Sequence, residues 1–182
     1  MNGSDAGGSG GAGAPSPQFT FTKFAEHHLK LLRTWLNKDH IKPHWQEPED
    51  DEQLKKKFIT DLSNRSVHSF IFEQNNEAIG YIQYYEACRV GGGWWPAEKP
   101  GTFGIDIMIG NPNRLGQGLS TPVISEFMEL IKNRERVEHF IIDPDVSNFR
   151  AIRAFEKAGF SRENELITPN GRALLMRRPV SK

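Results

Sequence analysis

Alternating and helical patterns of apolar residues define the first elements of the chain. From Gln18 the string FTFTKF alternates apolar and polar residues, which predicts a half-buried β-strand. Residues 26–38 carry apolar side chains at helical spacing, and the predicted buried face consists of Leu29, Leu32, Trp35 and Leu36. A second helix is predicted over residues 50–63, where an acidic first turn complements the helix dipole. Its expected buried stripe consists of Leu54, Phe58, Ile59 and Leu62.

A hairpin and a strand–helix unit follow. The string SFIFEQNNEAIGYIQYYEA holds two β-like runs separated by Asn75-Asn76, and asparagine tolerates the left-handed backbone that hairpin turns require. The string GTFGIDIMI, at residues 101–109, predicts another strand. Residues 117–132 place apolar side chains at helical spacing and predict a helix, in which Pro122 is tolerated because it lies near the first turn.

The C-terminal part continues the alternation of strands and helices. EHFIID, at residues 138–143, predicts a short buried strand, and residues 147–159 predict a helix with Ser147 as its N-cap and Gly159 beyond its C-terminus. Two further strands flank the turn Pro169-Asn170-Gly171. The predicted order is β-α-α-β-β-β-α-β-α-β-β, which indicates an α/β domain around a mixed sheet with parallel neighbours in its second half.

Composition narrows the possible classes of protein. The chain has 182 residues, enough for one domain with a sizeable core. Residues 1–17 are rich in Gly, Ala, Ser and Pro and predict a flexible tail, so residues 18–182 are expected to form a single domain. Lys plus Arg equals Asp plus Glu at 23 each, which argues against general attraction to nucleic acid or anionic membranes. The single cysteine, Cys88, and the lack of a long apolar stretch predict a cytoplasmic location.

The stretch NPNRLGQGLST, at residues 111–121, joins a predicted strand to a predicted helix through two glycines. Glycines at such a turn let a ligand approach the backbone, and the first N–H groups of the helix have no partner within the helix. The amides of residues 117–121 would converge on one point, where the helix dipole favours negative charge. The segment therefore predicts an anion site, most simply for phosphate. The alternative is a glycine-eased turn that binds nothing.

Two motifs in the right order resemble the acetyl-coenzyme A (acetyl-CoA) binding core of the GCN5-related N-acetyltransferases (GNAT). They are Gly116-Gln117-Gly118 and the downstream string DPDVSNFRAIRAFEKAGF. The resemblance implies a mixed, mostly antiparallel central sheet flanked by helices, with a splayed parallel strand pair that holds acetyl-CoA as cosubstrate. The implied coenzyme-binding residues are Ile107, Met108, Ile109, Leu115, Gly116, Gln117, Gly118, Leu119, Ser120, Thr121, Asn148, Ala151, Phe155 and Lys157. Leu115 and Ser120 depart from the family pattern, at positions where backbone amides do the binding.

Several local strings look more specifically like the aminoglycoside 6′-N-acetyltransferases of the Ib type. They are WLNKDHIKPHW, the GGGWW loop, GID at residues 104–106 and the string that begins at Asp143. The resemblance implies Asp106 as the general base and Asp143 as a second carboxylate on the substrate amine. The resemblance implies Trp45, Trp94 and Trp95 as substrate-binding residues, and His44, Tyr85 and Glu98 are further candidates from their places in the sequence. It further implies a small cationic amine as substrate, no nucleic-acid or membrane partner, and a monomer or homodimer.

The residues themselves support this chemistry but leave alternatives open. Acetyl transfer needs a neutral amine, and a carboxylate beside the thioester can accept the proton of the ammonium. Asp106 lies in an apolar strand where an idle buried carboxylate is unfavourable, although it could instead face solvent at the edge. Asp143 precedes a proline and could simply cap a turn. The loop tryptophans suit a polycationic sugar, or else pack over the sheet edge, and His44 could be an ordinary surface residue. The sequence has no evident third ligand near the histidines, so it predicts no metal site.

Two departures from the Ib pattern bear on function. Phe155 stands where the family has a tyrosine that would protonate the leaving thiolate. It lies either beside the thioester or in the core. The loop PAEKPG offers Glu98 and Lys99 where the family has an acidic run. The alternatives are therefore an acetyltransferase of another amine (a siderophore hydroxylamine, a polyamine or lysine) and a binding module that has lost turnover.

Overall fold

The computed structural model describes residues 18–45, 47, 50–64, 66–90, 98–168 and 171–180, with backbone only for 61–64. The predicted tail at residues 1–17 lies outside this part of the chain. So do Trp94, Trp95 and the turn residues Pro169 and Asn170.

The described elements follow the predicted order. Seven strands are present: β1 (Thr20–Lys23), β2 (Val67–Gln74), β3 (Glu77–Glu86), β4 (Thr102–Ile109), β5 (His139–Ile142), β6 (Ser161–Thr168) and β7 (Gly171–Pro179). Four α-helices lie between them: α1 (Leu29–Leu36), α2 (Asp51–Asn64), α3 (Ser120–Lys132) and α4 (Phe149–Lys157). The β2–β3 turn uses positive φ at Asn75 and Asn76, as predicted from those residues.

The strands form one sheet in the order β1-β2-β3-β4-β5-β7-β6. All neighbouring pairs are antiparallel except β4 and β5, which are parallel. This confirms the mixed, mostly antiparallel sheet flanked by helices. The parallel pair is short, because residues 102–104 pair with residues 139–141 and β4 then continues to Ile109 without β5 beside it. The two strands therefore part in the middle of the sheet.

The two faces of the sheet carry separate apolar clusters. On one face, α3 and α4 pack against the sheet through side chains that include Tyr84, Phe127 and Ile152. On the other face, α1 and α2 pack over Tyr81 and Met108. Because side chains alternate along a strand, Tyr85 lies on the same face as Tyr81. The polar residues of the candidate site lie on this α1/α2 face.

The α2 stripe is narrower than predicted. Leu54 and Phe58 are buried, but Ile59 is 45% exposed. Residues four apart lie on one line of a helix, and α2 contacts the sheet along the line of residues 54 and 58. Ile59 is one step, about 100°, around the helix and faces away. The side chain of Leu62 lies outside the described part.

Three helix starts differ from the predictions. The first helix begins at Leu29 after a 3-10 turn at Glu26–His28, and the third begins at Ser120 rather than at residue 117. The N-cap of α4 is Asn148, whose Oδ1 accepts a hydrogen bond from the Ala151 amide at 3.2 Å, and the prediction of Ser147 was wrong. The amide and the hydroxyl of Ser147 both donate to Asp145, so this side chain is directed at Asp145 rather than at the first amides of α4.

Candidate active site

Asp106 lies in the middle of the sheet, on the α1/α2 face of β4. Its cross-strand partner on β3 is Gln83, whose Nε2 donates to Asp106 Oδ2 at 2.7 Å. The Tyr85 hydroxyl donates to Asp106 Oδ1 at 3.5 Å. The carboxyl group is thus held by two side chains of the neighbouring strand rather than facing solvent at an edge.

Gly104 makes room for Tyr85. The two residues are cross-strand partners, and a Cβ added at Gly104 would lie 2.4 Å from Tyr85 Cε2 and 2.8 Å from its hydroxyl oxygen. Such distances are far shorter than van der Waals contact. The glycine of the GID string therefore lets the tyrosine ring cross β4 with its hydroxyl directed at Asp106.

Asp143 joins this site because of the sheet topology. The last paired residues of the parallel strands are Gly104 and Ile141, so Asp106 and Asp143 each lie two residues further along. Residues two apart share a face, and both carboxyl groups therefore lie where the strands separate. Burial raises the pKa of Asp143 to about 8, and the nearby charge of Asp106 adds to the effect. The charge of Asp106 acts on Asp143, so the two carboxyl groups lie near each other where the strands separate.

The pKa of Asp106 is also raised, mainly by burial. The hydrogen bond from Gln83, the charge of Lys57 and the hydrogen bond from Tyr85 oppose that rise, whereas Glu47 adds to it. Burial and the two carboxylates raise the pKa of the Tyr85 hydroxyl well above its ordinary value, so the phenol stays protonated and donates. Two desolvated carboxyl groups whose charges act on each other favour sharing a proton over carrying two negative charges. A bound cation would relieve that repulsion.

Replacing Asp143 with asparagine is expected to stabilise the protein at alkaline pH. Between about pH 4 and pH 8 the folded state binds a proton here that the unfolded chain releases, so stability falls as the pH rises. Asparagine has similar shape and no charge to bury. At pH 8 we expect the free energy of unfolding to rise by at least about 1 kcal/mol, which raises the melting temperature by a few degrees. Near pH 4 the melting temperature should be unchanged.

Asp145 is the control for this experiment. Hydrogen bonds from Ser147 and the charge of His44 lower the pKa of the Asp145 carboxyl, so Asp145→Asn should destabilise at neutral pH. A gain from Asp143→Asn of equal size at pH 4 and pH 8 would contradict the electrostatic explanation.

The outer residues predicted to bind substrate have different surroundings. His44 is exposed and near Asp145. Trp45 packs its ring edge against Tyr81, with ring centroids 5.8 Å apart, and its Nε1 donates to Glu47 Oε1 at 3.2 Å. Glu98 is bound by Arg177, with 2.7 Å between Nη2 and Oε1 and 3.2 Å between Nη1 and Oε2. Trp94 and Trp95 lie outside the described residues.

Three polar residues of the site were missed by the sequence analysis. Gln83 lies between Tyr81 and Tyr85 on the same face of β3, and strand alternation alone could have identified it. Glu47 and Lys57 form an ion pair, with Lys57 Nζ donating to both carboxylate oxygens at 2.6 Å. Both act on the charge of Asp106. They come from a loop and from α2, and no spacing in the sequence predicts that they meet.

The glycine turn has the backbone expected of an anion site. Gly116 and Gly118 have φ of 74° and 70°, values that favour glycine. Among the described residues other than its chain neighbours, no atom lies within 4 Å of the position a Cβ would take on Gly118, and no side chain in the same part of the chain caps the start of α3. Arg150 of α4 reaches the turn, with Nη2 3.7 Å from the corresponding position on Gly116. The first amides of α3 thus open onto free space beside a cation.

The other residues implied to contact coenzyme line the seam between β4 and the helices. Ile107 and Ile109 pack against the α3/α4 cluster, and Met108 against the α1/α2 cluster. Lys157 is exposed on α4. The Thr121 hydroxyl donates to the Ala154 carbonyl at 3.2 Å and ties the start of α3 to α4. The helix start at Ser120, the glycine turn and α4 therefore form one continuous wall.

Phe155 lies in the core. Its side chain is 5% exposed, belongs to the α3/α4 cluster and packs near Phe160, with ring centroids 6.4 Å apart. Of the two positions left open for this residue, the structure supports core packing.

Replacing Phe155 with tyrosine should therefore destabilise the protein without increasing its rate. A buried hydroxyl without a partner costs about 1–3 kcal/mol. We expect a lower melting temperature and an unchanged or lower acetylation rate, measured on the purified variant. The exposed Phe149, 68% accessible on the same helix, is the matched control, and Phe149→Tyr should leave the melting temperature unchanged. A faster Phe155→Tyr enzyme of unchanged stability would instead place this ring beside the thioester.

Within the described ranges, no group of three or more His, Cys, Asp or Glu residues is placed to hold a metal ion. No helix in the same part of the chain is both long and apolar enough to cross a membrane.

Comparisons with known proteins agree with this architecture. A family model for the acetyltransferase (GNAT) domain matches residues 25–168. The aminoglycoside N(6′)-acetyltransferase type 1 of Klebsiella pneumoniae is 40% identical over 162 residues, covering 86% of this chain and 81% of that protein. The crystal structure of the aminoglycoside acetyltransferase AAC(6′)-Ib with coenzyme A is similar, with a TM-score of 0.82, 38% identity, and coverage of 88% of this chain and 94% of that one. Its complex with coenzyme A and kanamycin gives a TM-score of 0.81 and 39% identity over the same shares of the two chains. The chain belongs to the GNAT acetyltransferase family.

Proposed function

We propose that this protein transfers the acetyl group of acetyl-CoA to the 6′-amino group of an aminoglycoside. The observation that carries the proposal is the pair of buried carboxyl groups, Asp106 and Asp143, where the parallel strands separate and beyond which the chain enters the glycine turn. The similarity to aminoglycoside N(6′)-acetyltransferases over most of the chain supports the choice of substrate. We further propose that the enzyme acts in the cytoplasm, as a monomer or homodimer.

The chemistry follows from the charges at this point. The substrate arrives as an ammonium, which Asp106 and Asp143 bind through their negative charge. Asp106 accepts a proton from it, directly or through water, and leaves the nitrogen lone pair free to attack. Acetyl-CoA supplies the acyl group as a thioester. An amide C–N bond forms, the C–S bond breaks, the nitrogen loses a second proton, and the thiolate takes up a proton, so that the products are an amide and a thiol. The buried phenyl ring of Phe155 has no proton to give, and we assign that last step to water.

The coenzyme is proposed to lie along the seam described above. The backbone amides of residues 117–121 would bind its pyrophosphate, because they open onto free space at a positive helix end. The free edge of β4 at residues 107–109 would pair with the amide groups of the pantetheine arm. On α4, Asn148 fixes the helix start, Ala151 and Phe155 shape the wall, and Lys157 supplies charge near the surface.

The substrate pocket is proposed to be acidic and aromatic. Asp106 and Asp143 provide negative charge for a polycation, and Trp45 provides an aromatic face next to Glu47, whose own charge is paired with Lys57. Tyr85 would line the pocket floor, and His44 its rim. Trp94 and Trp95 would complete the aromatic surface. Glu98 would contribute mainly through the loop that it anchors, because its carboxylate is already bound to Arg177.

A matched pair of antibiotics tests the proposal. Neomycin and paromomycin differ in carrying an amino or a hydroxyl group at the 6′ position. The release of free thiol measures consumption of the thioester. We expect consumption with neomycin and none with paromomycin. Consumption with a diamine, lysine or a hydroxylamine siderophore but not with neomycin would establish the other amine class. Coenzyme binding without turnover on any amine would establish a binding module.

A further inference from the structure

A chain of hydrogen bonds runs from the edge of the α1/α2 cluster to Asp106. The Tyr81 hydroxyl lies 2.8 Å from Ser69 Oγ and 2.6 Å from Gln83 Oε1. Gln83 Nε2 lies 2.7 Å from Asp106 Oδ2. The two residues furthest from Asp106 are buried, with Tyr81 1% and Ser69 5% exposed. These hydrogen bonds thus link four side chains on three neighbouring strands, β2, β3 and β4.

The chain has a direction. The amide oxygen of Gln83 only accepts hydrogen bonds, so the Tyr81 hydroxyl hydrogen must go to it. The Tyr81 oxygen is then free to accept from Ser69 Oγ, and Gln83 presents its NH₂ group to Asp106. A rotated amide would place its oxygen against an ionised carboxylate, where two acceptors repel. Tyr81 therefore selects the amide orientation that favours a negative charge on Asp106.

Packing fixes the position of the Tyr81 hydroxyl. The tyrosine ring meets Phe24, Phe58 and Trp45 edge to face, with centroid distances of 5.5, 6.0 and 5.8 Å. Aromatic contacts of this kind hold a ring in one orientation. The hydroxyl can therefore act as a fixed reference point for the glutamine side chain, which is otherwise long and flexible.

We infer that Ser69 and Tyr81 are positioning residues that lock the Gln83 side-chain amide with Nε2 toward Asp106, and so hold the Asp106 carboxylate ionised and in one orientation. This inference rests on the proposed role of Asp106 as proton acceptor. Neither Ser69 nor Tyr81 contacts a reacting atom, whereas Gln83 contacts the Asp106 carboxylate itself. Each acts through the next.

The other groups that face Asp106 do not replace this contact. A negative charge on Asp143, at the end of β5, would repel that of Asp106, and Glu47 disfavours ionisation of Asp106. Lys57 on α2 favours it, but its Nζ is bound to Glu47. The Tyr85 hydroxyl is 3.5 Å away, much further than the 2.7 Å of Gln83. The Gln83 amide is thus the closest donor to Asp106 among the described residues.

The experiment removes the Tyr81 hydroxyl. Tyr81→Phe keeps the ring and its packing but leaves the Gln83 amide free to rotate, so the Asp106 carboxylate loses stabilisation. We expect the Asp106 titration, followed by carbon-detected NMR of the side-chain carboxyl, to move to higher pH by about 0.5–1 unit. The acid limb of the kcat/KM profile should move in the same direction. Ser69→Ala should give a smaller shift of the same sign.

Tyr84→Phe is the matched control. Tyr84 lies on the same strand, and its hydroxyl also donates to a partner, Glu135 Oε1 at 3.1 Å, but on the opposite face of the sheet. This variant should leave the Asp106 titration unchanged. Equal titration of Asp106 in the parent, Tyr81→Phe and Ser69→Ala proteins would overturn the inference. The NMR measurement needs no turnover, so it remains decisive even if Asp106 proves dispensable for catalysis.

Discussion

Replacing Asp106 with asparagine is expected to lower kcat by about 10²-fold or more, which is the usual contribution of a general base. Asparagine keeps the shape of the side chain and can still bind Gln83 and Tyr85, but it cannot accept a proton from the substrate. The affinity for coenzyme A should be unchanged, because the glycine turn is not altered. Turnover with the best amine, measured across pH, and calorimetry with coenzyme A provide the two readings.

Asp39→Asn serves as the control for a change of carboxylate to amide. Asp39 is exposed after α1 and belongs to no part of the proposed site, so its variant should keep parental turnover. An Asp106→Asn enzyme that keeps near-parental turnover from pH 6 to pH 9 would remove Asp106 from the mechanism. An equal loss in both variants would point to a general effect of charge.

Replacing Gly118 with aspartate should weaken coenzyme A binding at least about tenfold, or 1.4 kcal/mol. The new side chain would stand in the open space where we place the pyrophosphate, and its charge would oppose the anion. The positive φ of 70° adds backbone strain. Gly118→Asn carries nearly the same shape and strain without the charge, so the difference between the two variants isolates the electrostatic effect.

Calorimetric titration of both variants with coenzyme A measures the effect, and their melting temperatures show whether the fold is kept. The aspartate variant should bind more weakly than the asparagine variant, and the difference should shrink at high salt. Parental affinity in Gly118→Asp would place the pyrophosphate elsewhere.

The order of strands and helices could be predicted from the sequence because each element has a clear period of apolar residues. The details that failed depend on tertiary contacts. Ser147 is as good an N-cap as Asn148 by residue type, and the structure shows Ser147 directed at Asp145 and Asn148 at the Ala151 amide. Ile59 has the same spacing and hydrophobicity as its buried neighbours, and only the line of contact between α2 and the sheet leaves it exposed.

The candidate site divides in the same way. Asp106 and Asp143 could be proposed by resemblance, and their proximity follows from the parallel register, which places each of them two residues beyond the last pair of the two strands. The glycine turn could be predicted from backbone chemistry alone. The ion pair of Glu47 with Lys57 and the bond of Glu98 to Arg177 could not, because each joins segments that are distant in sequence. Gln83 is an intermediate case, visible through alternation but without meaning until its neighbours on β2 and β4 are known.

The short parallel pairing has a consequence for the mechanics of the sheet. Within the sheet, three residue pairs join β1–β4 to β5–β7, and beyond them one edge of β4 has no neighbouring strand among the described residues. A linear ligand bound along this open edge of β4 would make contacts that no strand of the sheet makes there. Ligand binding then adds directly to the free energy of unfolding. Without ligand, we expect the amide hydrogens at the open edge of β4 to exchange with solvent sooner than those that are paired between strands. Ligand binding should slow this exchange.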